Sequence, residues 1–191
     1  MSTINGKACV ANGVSVDKVF SNGKQVYGRN LLTNTSDFSS NWILGSGVTV
    51  NTSQTPAILH YPMTTLTSSN KTLAQQQIND GLLQPSTTYT ASFYAKGTGT
   101  FMFYCFPSVS NGASTSSDTR TLIKLTSEYK LYTITFTTLS NVSGNKNFLL
   151  RQDYSPLATA TDQNTVEAYI YGLKLEKGSL ATPWTPAQDV L

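Results

Sequence analysis

The chain has 191 residues, 13 Lys and Arg against 10 Asp and Glu, and a formal net charge of +3. That length fits one main domain with a small appendage, and the thin spread of positive charge, with no basic run, excludes the electrostatic footprint of a nucleic-acid binder. Only 12% of residues are charged, whereas 50 of the 191 are Ser or Thr, so the surface is neutral and rich in hydroxyls.

Met1 to Lys7 lack an apolar segment, and no stretch approaches the roughly 18 apolar residues of a membrane span. The expectation is a soluble protein without a secretion signal. Residues 14–27 read as two alternating strands joined by Ser21-Asn22-Gly23, because Asn-Gly is the strongest short hairpin signal. Residues 1–28 form the expected hairpin appendage, and 29–191 the main domain.

Further strands are predicted near 30–34, 42–50, 57–63, 71–79, 87–96, 100–106, 119–126, 130–138, 147–153 and 165–176, punctuated by Gly, Pro, Asn and Ser. Ten short strands rich in aromatic and β-branched residues make an all-β sandwich of two antiparallel sheets. Alternation over 87–96 sends Tyr89, Ala91, Phe93 and Ala95 to the core and Tyr94 and Lys96 outward. In the next strand Phe101, Phe103 and Cys105 oppose Met102, Tyr104 and Phe106. Arg151 and Asp153 likewise oppose Leu150 and Gln152. Ser108 to Thr119 lacks periodicity and reads as a long loop. Cys9 and Cys105 are far apart in sequence and read as free thiols, Cys105 as a buried one.

Catalytic arrangements find little support. His60 is the single histidine, and it lies at the end of an apolar strand with no nucleophile elbow near it. It has no second His or Cys-x-x-Cys with which to hold a transition metal. A glycosidase needs two carboxylates across the sugar, and the strand-borne acids Asp153, Glu167 and Glu176 read as surface or salt-bridge groups. No phosphate loop is present, since Gly45-Ser46-Gly47 and Gly97-Thr98-Gly99 lack a following helix. The expectation is a protein without enzymatic activity, catalytic residues or cofactor.

Three segments carry a family resemblance: Asn30-Leu31-Leu32 with Asp37-Phe38 and Trp42, Thr88-Tyr89-Thr90 through Lys96-Gly97, and Gly172-Leu173-Lys174-Leu175-Glu176-Lys177-Gly178. In this order they resemble the jelly-roll carbohydrate-binding modules of bacterial glycoside hydrolases. The closing Ala181-Thr182-Pro183-Trp184-Thr185-Pro186-Ala187 is similar to the ending of tail and baseplate proteins of phages of Gram-positive bacteria. Asp17 to Tyr27 resembles the small hairpins that precede such modules. The resemblance implies a jelly-roll module for phage adhesion to host cell-wall or surface polysaccharide, located in the virion tail, with other tail proteins as further partners. The alternative it leaves open is a structural tail or baseplate component without a sugar site. Calcium often braces the enzyme-linked relatives, but Asp37, Glu176 and Asp189 do not supply a hard cation's ligand set, and no metal is expected.

Sugar recognition requires aromatic faces for pyranose rings and planar polar groups around them. Among outward residues, Tyr94 and Tyr104 are the predicted platforms, with Arg151 and Asp153 as the hydrogen-bonding rim. His60 and Tyr61 are weaker candidates. Trp42 is expected to pack in the core, and Trp184 to pin the C-terminal segment against the sandwich.

Overall fold

The computed structural model describes residues 9–12, 14–106, 120–142, 146–154 and 164–187. The side chain of Phe106, the predicted loop from 108 to 119 and Asp189 lie outside the described residues.

Two small ladders come first. Strand β1 (Val10–Ala11) pairs with β2 (Val14–Ser15), and β3 (Lys18–Ser21) with β4 (Lys24–Gly28). The β3–β4 turn is Asn22-Gly23, with φ of 49° and 74°. Both residues are left-handed, as the tightest hairpin turn requires. The expected hairpin is therefore present, but Val14 and Ser15 belong to the preceding ladder rather than to it.

The sandwich is built from β5 (Trp42–Leu44), β6 (Thr49–Asn51), β7 (Ile58–Thr65), β8 (Lys71–Gln77), β9 (Thr88–Thr98), β10 (Thr100–Phe106), β11 (Thr121–Lys124), β12 (Lys130–Thr137), β13 (Asn147–Gln152) and β14 (Thr165–Lys177). One five-stranded sheet has the order β11-β10-β13-β8-β5, the other β12-β9-β14-β7-β6, and all neighbours are antiparallel. We call them the amide sheet and the tyrosine sheet, after the side chains on their outer faces. The chain passes between sheets repeatedly, and this makes the jelly roll.

Two predicted strands differ. The segment 42–50 is broken at Gly45-Ser46-Gly47 into β5 and β6, which join different sheets. Residues 30–34 form no strand, because the side chain of Asn30 does the bonding instead. Its Nδ2 donates to Thr35 Oγ1, Leu173 O and Thr185 O, each at 3.1 Å, while Oδ1 accepts from the amides of Leu32 and Leu175. A buried polar side chain with its bonding capacity met can replace a ladder.

Alternation fills the core as expected. Tyr89, Ala91, Phe93 and Ala95 of β9 and Phe101 and Phe103 of β10 are fully buried. Phe93 and Phe101 meet across the sheets at 6.1 Å, and Phe103 contacts Phe136 at 6.5 Å and Phe148 at 5.3 Å. The chain changes sheets at Gly99, between β9 and β10, and Gly97 lies just before it near the end of β9. A β-carbon on Gly97 would lie 1.9 Å from the Glu167 carbonyl oxygen, and φ is 142°, so only glycine fits. Cys9 and Cys105 are free thiols, and burial pushes the Cys105 thiol far above its ordinary range.

The lower half of β14 lies beneath the C-terminal segment. Lys174 and Glu176 point away from the core yet are completely buried. Lys174 Nζ donates to Thr182 Oγ1 at 2.7 Å and Pro183 O at 2.8 Å, and stands 3.7 Å from Glu176 Oε1. Glu176 accepts from the Thr182 amide and hydroxyl, each at 2.8 Å. Burial lowers the Lys174 pKa to about 8 against the pull of Glu176. The N-terminal hairpin ends on this cluster: Gly28 N donates to Thr182 Oγ1 at 3.0 Å, and Tyr27, buried, lies under the ammonium. Glu176, one of the acids weighed for a cation, is thus engaged by protein groups.

Candidate saccharide face

The outer face of the tyrosine sheet carries a band of aromatic rings that runs across the strands. Its register places Leu131, Tyr94 and Tyr171 in one row and Lys96, Tyr169, His60 and Thr49 in the adjacent row. The local cause is the alternation of β14, where Val166, Ala168 and Ile170 are buried and Glu167, Tyr169 and Tyr171 must face outward. At Gly172, with φ of 66°, the ladder slips between Tyr171 and Lys174. Above this bulge the tyrosines are open; below it the C-terminal segment covers the strand.

Tyr94 and Tyr171 stack at 5.0 Å with planes 8° apart, and Tyr129 meets Tyr171 edge-on at 4.9 Å. His60 stacks on Tyr169 at 4.3 Å. Lys96 Nζ sits 4.8 Å from the centre of the Tyr129 ring and 5.7 Å from that of Tyr169, joining the two groups by cation–π contact. Glu167 Oε1 accepts from His60 Nε2 at 3.1 Å and from the Tyr169 hydroxyl at 3.2 Å. Burial first, then neighbouring oxygens, raise the pKa of Tyr129, Tyr169 and Tyr171. These three phenols are neutral donors at physiological pH.

At the bulge end of the band lies a cleft of about 250 Å³ between Tyr94, Leu131, Pro183 and Trp184, with Ser92 and Thr182 as polar lining. Tyr94 is 36% exposed. Trp184 is half-buried, and its Nε1 donates to Thr35 Oγ1 at 3.2 Å, so the indole is held in place while still lining the cleft. An apolar wall with hydroxyls beside it suits a sugar ring, which has apolar faces and a polar rim.

Of the remaining sequence-based candidates, His60 lies in this band and the others are elsewhere. Tyr104, Arg151 and Asp153 do leave the core together, but on the outer face of the amide sheet, on the opposite side of the sandwich from Tyr94. The four therefore do not line one groove. Tyr104 is only 4% exposed. Its hydroxyl donates to Asp153 Oδ2 and accepts from Arg151 Nη2 at 2.9 Å, while the guanidinium lies 4.6 Å over its ring. Arg151 Nε donates to Asp153 Oδ1 at 2.6 Å. Burial and Asp153 raise the Tyr104 pKa, and the bond to Asp153 raises that of Arg151. This is a closed triad whose ring face is already occupied.

Tyr61, expected to be exposed, is 2% exposed and belongs to the core, with its hydroxyl donating to Gln152 Oε1 at 2.7 Å. Ala57 and Leu59 share its face, so the same period of two that placed Tyr94 outward puts Tyr61 inside. Its neighbour His60 takes the outer face as half of the His60–Tyr169 stack. Trp42 packs edge-on against Phe38 at 5.1 Å and Phe148 at 6.1 Å. The three acids are dispersed: Asp153, just past the end of β13, on one outer face, Glu167 on the other and Glu176 buried between β14 and the tail.

No family model and no curated protein matches this sequence. Solved structures match its fold. The CBM22-1 xylan-binding domain from Paenibacillus barcinonensis Xyn10C aligns with a TM-score of 0.54 at 13% identity, over 82% of this chain and 99% of that one. The enzymatically active domain of Bacteriophage CBA120 tailspike protein 4 aligns with a TM-score of 0.54 at 16% identity, over 78% of this chain. The match spans only 21% of the length of the tailspike chain. A cyclase from Fischerella sp. TAU aligns with a TM-score of 0.50 at 11% identity, over 79% of this chain and 98% of that one. What these likenesses share is the jelly-roll sandwich.

Proposed function

We propose that this chain is a non-catalytic carbohydrate-binding module whose ligand lies across the outer face of the tyrosine sheet. The observation that carries the reading is the cleft between Tyr94 and Trp184, continued by Tyr171, Tyr169 and His60 with Lys96 and Glu167 alongside. A polysaccharide laid across the strands would meet ring surfaces and charged hydrogen-bonding groups in succession. The fold shared with a xylan-binding domain supports this reading, and the fold shared with part of a phage tailspike supports the narrower one. In that narrower form the module sits in a phage tail and attaches to cell-wall or surface polysaccharide of the host. The dispersed carboxylates favour binding over hydrolysis.

The test is co-sedimentation of the purified chain with host cell walls and with a panel of polysaccharides. Binding by the parent, weakened about 5- to 100-fold by Tyr94→Ala or Trp184→Ala, is the expected result. Equal binding by parent and both variants would contradict it.

One observation favours the structural alternative, docking to other tail proteins. The N-terminal ladders expose Val14 (67%) and Phe20 (60%), apolar groups suited to a protein contact. A parent that binds no saccharide but is retained by tail proteins would establish that alternative.

A further inference from the structure

The outer face of the amide sheet holds a cavity of about 460 Å³, larger than the cleft beside Tyr94 and within the usual range for small-ligand sites. Its walls come from three adjacent strands and the segment before them. Gln75 and Gln77 project from β8, Asn147 from β13 and Ile43 from β5, with Thr33 and Trp42 closing one side. Asn41 and Asn79 complete the rim, and among the described residues no charged side chain lines it.

The frame of the cavity is fixed. Gln76, buried on the opposite face of β8, donates from Nε2 to Thr33 O at 2.9 Å and accepts from Thr33 N at 2.8 Å. The Trp42 indole donates to the same carbonyl at 2.9 Å. Gln75 Nε2 donates to Asn147 Oδ1 at 3.2 Å, which leaves an acceptor on Gln75 and a donor on Asn147 side by side on neighbouring strands. The side-chain amides of Gln77 and Asn79 make no hydrogen bond to the described residues. Ile43, 62% exposed, stands against this amide wall and gives the cavity an aliphatic surface.

The geometry points to a second ligand site here, independent of the tyrosine face, for an uncharged sugar unit bearing an acetamido group. Amide side chains supply donors and acceptors without charge, so an ionic ligand would find no counter-charge. An acetamido group brings one N–H, one C=O and one methyl, which match the free acceptor, the free donor and the exposed Ile43. A plain hexose brings only the C–H face of its ring to the aliphatic patch, with no methyl group and no amide.

The full-length chain would be titrated calorimetrically with a trimer of N-acetylglucosamine and with a matched trimer of glucose. The expected result is binding of the acetylated trimer at least ten-fold tighter than that of the glucose trimer. Gln77→Ala and Gln75→Ala should each weaken it ten-fold or more, Gln77→Ala with an unchanged melting temperature, while Tyr94→Ala leaves it intact. Among the described residues the Gln77 side chain has no hydrogen-bond partner to lose, so its variant separates binding from folding. Failure of the acetylated trimer to bind at millimolar concentration would overturn the inference. Equal affinity for both trimers, or loss through Tyr94→Ala instead of the glutamine variants, would overturn it as well. Failure of this second site leaves polysaccharide binding by the tyrosine face standing, which Tyr94→Ala tests on its own ligand.

Discussion

The two outer faces of this sandwich arise from the same alternation and end in different chemistry. On the tyrosine sheet, Tyr94, Tyr169 and Tyr171 stand in adjacent rows and keep part of their surface open. On the amide sheet, Tyr104 also points outward, but Arg151 covers its ring and Asp153 takes its hydroxyl. Outward direction is a property of the strand; accessibility is a property of the neighbours. A third situation exists below the Gly172 bulge, where outward Lys174 and Glu176 are sealed by the C-terminal segment.

The sealed pair should give the largest effect. Lys174→Met leaves the Glu176 carboxylate buried without its cation, and a loss of about 3–5 kcal/mol in urea unfolding is expected. The pH dependence has a definite sign. Lys174 titrates near 8 when folded and near 10.4 when unfolded, so in that interval the unfolded chain holds more protons and this group's contribution to stability rises with pH. That rise should be missing from Lys174→Met; an identical limb in both proteins would show that Lys174 is not desolvated.

On the open face, Tyr94→Ala should weaken polysaccharide binding by about 1–3 kcal/mol while stability shifts by only about 0.5 kcal/mol. On the covered face the balance should reverse. Arg151→Ala removes the guanidinium from Tyr104 and leaves Asp153 with the phenol alone, at an expected cost of about 1–2 kcal/mol in folding stability and none in polysaccharide affinity. If Arg151→Ala instead spared the melting temperature and lost binding, the two faces would have to exchange roles. The smallest effect concerns ionisation: the raised pKa of Tyr104 means that its phenol ionises later than a free one. Tyr104→Phe should therefore remove a late component from the alkaline absorbance titration near 295 nm. Loss of a component at ordinary tyrosine pH would contradict the buried triad.

Much of the fold was legible in alternation. The core face of β9 was readable because Tyr89, Ala91, Phe93 and Ala95 are separated by hydroxyl and charged residues, and β10 and β13 followed the same rule. Residues 30–34 misled because Leu31 and Leu32 look like strand residues, whereas much of the bonding there runs through the side chains of Asn30 and Gln76, with Asn30 reaching residues more than 140 positions away. Local pattern carries no signal for such a hub. The site was only partly legible. The outward direction of Tyr94 could be read, and that of Tyr169 and Tyr171 could have been, since they oppose the small apolar series Val166, Ala168 and Ile170. That Tyr94 and Tyr104 lie on opposite sides of the molecule depends on which sheet each strand joins, and no single strand encodes that.

The most direct test of the tyrosine face as the saccharide surface is amide chemical-shift mapping of the full chain during titration with a polysaccharide fragment that it binds. Shifts concentrated at Tyr94, Lys96, Tyr169, Tyr171 and the Trp184 indole, with Tyr104 and Arg151 still, are the expected result. Shifts concentrated at Tyr104, Arg151 and Asp153, with the tyrosine band silent, would contradict it.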